Sequence, residues 1–194
     1  NIKPEYLNIL YKLGIVLLLN SKYTNRIIRG HKMNRYQNKE FNDIISHISN
    51  NKDFLKLKSI KHHGITRYDH SIRVAYYSYK ITKLLHLDYK ETTEAALLHD
   101  FFQEEVADKN FVSRLRKHPK CALKNATDNF DLSEKQMDII KSHMFPITFT
   151  PPKYLESWIV DVVDDISAIK KRGAVIKQQA KVVGTFLLIL LFNY

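Results

Sequence analysis

Residues 95–100 read Ala95-Ala96-Leu97-Leu98-His99-Asp100, a small-residue apolar run that ends on an adjacent imidazole and carboxylate. Two such side chains at the end of a buried helix can face one metal ion, yet two ligands do not hold one, so further donors must come from elsewhere in the chain. Upstream, Asp88 with Glu91 three residues on has the pattern of a capping box and starts the helix that carries the run. The segment before it, from about Tyr68 to Leu87, is predicted helical, with His70 in its first turn and Ile72, Ala75, Tyr76, Tyr79 and Leu84 along one side.

The helical period continues in both directions. Phe41, Ile44, Ile45 and Ile48 mark an amphipathic helix within 34–50, and a short helix is predicted over Phe54 to Ile60, ended by His62-His63-Gly64. After a polar segment from Gln103 to Asn110, Pro119 suits the first position of a helix reaching Asn129. Ser133 and Gln136 form a second capping box, for a helix through Met137 and Ile140 to His143. Pro146, Pro151 and Pro152 predict a loop, extended over 145–150, before a helix from Tyr154 to about Lys171. No segment alternates at the strand period, so the expected class is all-α.

A chain of 194 residues suits one domain with appendages. The expected division is an apolar and basic extension over 1–32, a domain over 33–172, and a C-terminal helix with an apolar tail over 173–194. Apolar residues at 44% and charged residues at 26% exclude a disordered chain and a multi-span membrane protein. The formal charge of +11 favours an anionic partner, but the basic residues are scattered over solvated helix faces, so no specific nucleic-acid binding is expected. The single Cys121 excludes an internal disulfide and fits a cytoplasmic chain. The apolar runs Ile15–Leu19 and Val182–Phe192 are shorter than the roughly 20 residues a spanning helix needs. The second is expected to pack in the core or between copies in a homodimer, with peripheral membrane contact as the alternative.

Four histidines and two aspartates fall at predicted helix ends or on helix faces: His70, His99, Asp100, His118, His143 and Asp164. Each alone is weak evidence of a ligand, and their joint order carries the argument. The order of His70, then His99-Asp100, then Asp164 resembles the H…HD…D signature of the HD-domain superfamily of metal-dependent phosphohydrolases. The contexts Arg67-Tyr68-Asp69-His70-Ser71-Ile72-Arg73-Val74-Ala75 and Ala96-Leu97-Leu98-His99-Asp100 also resemble small stand-alone bacterial HD proteins. The likeness extends over roughly residues 40–168.

The resemblance implies an HD-domain helical bundle, here with additional N- and C-terminal helices, that brings His70, His99, Asp100 and Asp164 onto a divalent metal. Mixed imidazole and carboxylate donors suit Mn, Fe, Co, Ni or Zn, with Mg also open, and leave room for water. Water on such an ion can attack phosphorus as hydroxide near neutral pH. The terminal ligand has three neighbouring candidates, Asp161, Asp164 and Asp165, of which Asp164 aligns best with the family pattern. Asp165 stands where many relatives have a basic residue. In the two-metal branch of the superfamily extra histidines lie between the HD pair and the final aspartate, and His118 and His143 are similar in order. Asp100 is then expected to bridge two ions, with substrate-phosphate contacts or helix capping as the other readings of the two histidines.

Catalysis is assigned to Asp100, His99 and Arg67, and substrate contact to Arg67, His62, His63 and Glu104. A guanidinium is a good bidentate phosphate partner. The position three after Asp100 is Gln103, not the acidic residue of one nucleotidase-like branch, so 5′-nucleotidase activity does not carry over directly. Phe101 and Phe102 are expected to wall the site. His31, His47 and His86 receive no role. The expected activity is hydrolysis of a phosphomonoester or phosphodiester, with an anionic phosphorylated small molecule such as a nucleotide as partner. A regulatory, non-catalytic metal and nucleotide-binding domain and a di-iron oxygenase of the same fold are the alternatives.

Overall fold

Asparagine caps open the described part of the chain. The computed structural model describes residues 38–62, 65–103 and 111–167, so the predicted 1–32 extension and 173–194 tail lie outside the described residues. Asn38 accepts the Phe41 amide at 2.9 Å and starts α1, Lys39–Ser49, which buries Phe41, Ile45 and Ile48. Asn51 accepts the Asp53 and Phe54 amides and starts α2, Lys52–Leu55, which tightens into a 3₁₀ turn over Lys56–Ser59. The short helix therefore begins two residues ahead of the expected Phe54, where the cap sets it.

A ribbon of β1, Lys61–His62, and β2, Ile65–Thr66, follows, antiparallel and too short to leave any alternation in the sequence. Thr66 then caps α3, Arg67–Leu84, accepting the Asp69 amide at 3.0 Å. Asp88 caps α4, Tyr89–Leu98, through the Glu91 amide at 3.3 Å. Its predicted capping box is half made, because the Glu91 carboxylate accepts from Ser133 Oγ at 3.0 Å, tying the start of α4 to the residue that opens a later helix.

Helix α5, Phe111–Asn129, overturns the expectation that Pro119 begins a helix, for Pro119 lies inside it. A proline there forfeits one i→i−4 hydrogen bond. The helix persists because Pro119, Ala122 and Ala126 form a buried stripe of compact side chains against the bundle. Ser133 and Gln136 make the full reciprocal capping box of α6, Glu134–Ser142. The stretch expected to be extended runs instead through successive turns, with Phe145 N donating to Ser142 O, Thr148 N to Met144 O, and Phe149 N to Pro146 O. The last described helix is α7, Leu155–Ser167.

The bundle is organised on α3, which packs most extensively against α4 and then α7; α6 joins α4, α5 and α7, and α1 covers α4. Phe41, Phe54, Leu57, Leu97, Leu98, Ile139 and Ile140 are fully buried between them. Such side chains contribute roughly 1.5–3 kcal/mol each relative to exposure. Phe101 joins this core, its ring 5.6 Å from Phe54 and 6.2 Å from Phe130, so it does not wall the site as expected. Asp138 ties α6 to the entry of α7, its Oδ2 accepting Lys153 N at 2.9 Å and Ser157 Oγ at 2.7 Å. Among the described residues no helix is long and apolar enough to cross a membrane.

Candidate metal centre

Ends and inner faces of five helices converge on one buried cluster of donors. His70 comes from the first turn of α3, His99 and Asp100 from the end of α4, His118 from the middle of α5, His143 from the end of α6, and Asp164 from the inner side of α7. An apolar helix that stops at Leu98 delivers its next two residues into the interior, where His99 and Asp100 are 0% and 2% exposed.

His70 Nε2 and Asp164 Oδ1 are 2.7 Å apart, and the same Asp164 oxygen is 3.5 Å from His99 Nε2. Asp164, of the three neighbouring aspartates, is thus the one that reaches both histidines. Asp100 turns its two oxygens to different partners. Oδ2 lies 3.9 Å from His99 Nε2, whereas Oδ1 lies 3.3 Å from His118 Nε2 and 3.9 Å from His143 Nε2. His70, His99 and Asp100 form one group able to hold a cation, and Asp100, His118 and His143 form another.

Two ring nitrogens are already oriented for ligation. His99 Nδ1 lies 2.7 Å from the Ala96 carbonyl and His143 Nδ1 2.7 Å from the Ile140 carbonyl, so each Nδ1–H donates to the backbone and each Nε2 faces the cluster. His99 Nε2 is fully buried with no hydrogen-bond partner, its nearest carboxylate oxygens being too distant for a good bond. His118 and His143 bring their Nε2 atoms within 2.7 Å of each other. An orphaned buried nitrogen, a close imidazole pair and two carboxylates are a donor set that fits divalent transition ions.

The electrostatics agree. Burial alone would lower the His99 pKa, but the Asp100 and Asp164 charges overrule it and push it up to about 9. Burial would raise Asp164, yet the His99 charge and the His70 bond hold it well below the usual carboxylate range. Burial lowers His118, and burial with the nearby His118 and His99 rings holds His143 down to about 3. The two carboxylates thus favour the charged form of His99, while burial favours the neutral forms of His118 and His143. A cation taking His99 Nε2 must displace its proton, so binding at pH 7.5 is expected to release close to one proton, and affinity should climb with pH until about 9. Calorimetric titration with Mn²⁺ in two buffers of different ionisation enthalpy checks this; no buffer dependence would refute it.

All six predicted metal donors are thus brought together. Arg67 is buried beside them, its Nη1 donating to the Phe102 carbonyl at 2.5 Å and its Cζ 3.8 Å from the Phe102 ring centroid. His63 and Glu104 lie outside the described residues, as does the side chain of His62. Gln103 turns away, toward the Asp53 carbonyl at 3.5 Å. Phe102 does wall the cluster, stacked on the His118 ring at 5.3 Å and 20°. No spacing rule signals a pairing such as Arg67 with Phe102, which only the folded α3–α4 arrangement creates.

Compared with known protein families, residues 67–169, more than half of the chain, match the family model described as HD domain. No curated protein and no solved structure matches the chain.

Proposed function

The chain belongs to the HD domain family, and from that premise we propose that it is a metal-dependent phosphohydrolase that cleaves a phosphomonoester or phosphodiester, with a nucleotide as the substrate class. The observation that carries the reading is the split of Asp100, one oxygen toward His99 and the other toward His118 and His143. A carboxylate so placed suits a bridge between two ions. His70, His99 and Asp164 would hold the first, His118 and His143 the second. Bound there, divalent ions would supply activation of water near neutral pH and neutralisation of phosphate charge.

The chain's own groups do the rest. Asp100 and Asp164 supply the negative charge that draws cations into a buried site. Arg67, whose charge bears on His118, is the group proposed to meet a phosphate beside the donors, with His62, His63 and Glu104 proposed on the same approach. Phe102 keeps an apolar wall beside His118, which limits stray water around the donors.

Metal-depleted chain, reloaded in turn with Mn, Fe, Co, Ni, Zn and Mg and assayed on nucleotide monoesters and diesters, tests the reading. Two ions per chain and release of phosphate or a nucleotide product are expected. Retention of no metal under any loading would overturn it. An air-dependent spectral change in iron-loaded chain, without hydrolysis, would favour an oxygenase.

A further inference from the structure

Three of the site imidazoles differ in what holds them. His99 and His143 each anchor Nδ1 to a backbone carbonyl three residues back, the usual way a protein fixes the ring of a metal ligand. His118 is held differently: its Nε2 faces His143 Nε2 at 2.7 Å and Asp100 Oδ1 at 3.3 Å. Its ring lies against Phe102, with centroids 5.3 Å apart and planes 20° from parallel.

Phe102 is itself tightly held. Its amide donates to the Asp100 carbonyl at 2.8 Å, and its carbonyl accepts Arg67 Nη1 at 2.5 Å. The Arg67 guanidinium lies over the same ring, 3.8 Å from its centroid. The short turn that presents Asp100 therefore also sets the surface on which His118 rests.

We infer that Phe102, fixed by Arg67, is a positioning residue that aims His118 Nε2 at the second cation site. This rests on the two-ion reading above. A flat aromatic face stops the imidazole from rotating about its Cβ–Cγ bond, since rotation would drive the ring edge into Phe102. A branched aliphatic side chain fills similar space without offering that plane. The face does for His118 what a carbonyl does for His99 and His143.

The test is a Mn²⁺ titration of metal-free full chain, followed by calorimetry and by the paramagnetic resonance signature of a spin-coupled pair. Wild type should take two equivalents. Phe102→Leu, and Phe102→Met should the first variant fail to fold, should keep the first equivalent at wild-type affinity and weaken the second by roughly 10–100-fold. Both should lose the coupled signal, approaching His118→Ala, while Phe102→Tyr restores it. A second equivalent as tight as wild type in Phe102→Leu or Phe102→Met overturns the inference and leaves the two-ion reading standing. Equal weakening of both equivalents also overturns it, as a general loosening of the bundle. A wild type that takes one ion only overturns the two-ion reading and the inference with it.

Discussion

Asp100→Ala is expected to lower phosphoester hydrolysis about 10³-fold or more and to empty both cation positions, while the helical content stays intact. The magnitude follows from the several kcal/mol that cation stabilisation of a phosphoryl transition state supplies, at about 1.4 kcal/mol per tenfold. Among the described residues, Asp100 is the donor that faces both halves of the cluster, directing one oxygen to His99 and the other to His118 and His143. The variant also removes the largest influence that raises His99. Its imidazolium should therefore titrate below about 9 in the metal-free variant, a shift readable by histidine-selective NMR. Activity at wild-type level in metal-loaded Asp100→Ala would refute the assignment, and an unmoved His99 titration would refute the electrostatic account separately.

The largest expected effect on stability lies away from the cluster. Asp138→Ala strands the Lys153 amide and the buried Ser157 hydroxyl, both held by one carboxylate oxygen. A buried donor left unpaired costs about 1–3 kcal/mol, so the variant should lose on the order of 2–4 kcal/mol and melt roughly 10 °C lower. Asp138→Asn retains an acceptor oxygen and should lose less. Thermal unfolding followed by circular dichroism measures both; equal melting of wild type and Asp138→Ala would show the bond to be inconsequential. The bond also bears on the site, since it fixes the entry of α7, which carries Asp164, against α6, which ends at His143.

Much of the donor set could be read from the chain because its members occupy positions that local rules predict. His70 stands in the first turn of a periodic helix, His99-Asp100 terminates an apolar run, and His143 closes a helix opened by a reciprocal Ser133–Gln136 box. Local signals failed where tertiary packing overruled them. Pro119 has the φ of a helix start, yet the buried Pro119, Ala122 and Ala126 stripe carries the helix through it. Phe145 to Thr150 suggested extension on account of Pro146, whereas backbone bonds to Ser142, Met144 and Pro146 fold the segment into turns. Phe101 and Phe102 are adjacent and chemically identical, and only the turn after Asp100 decides that one enters the core and the other meets His118. Asp164 was separable from Asp161 and Asp165 by family pattern; in space its bond to His70 makes the distinction.

That last bond joins positions 94 residues apart along the chain. In polymer terms, closing such a loop carries about 2 kcal/mol more entropic penalty than closing one of roughly 10 residues. An unfolded chain cannot keep donors so distant within one coordination sphere, so a cation held between α3 and α7 acts as a removable cross-link. Its binding free energy passes almost undiluted into the folded state. Chelation would then withdraw a fastener from the bundle as well as a reagent from its chemistry.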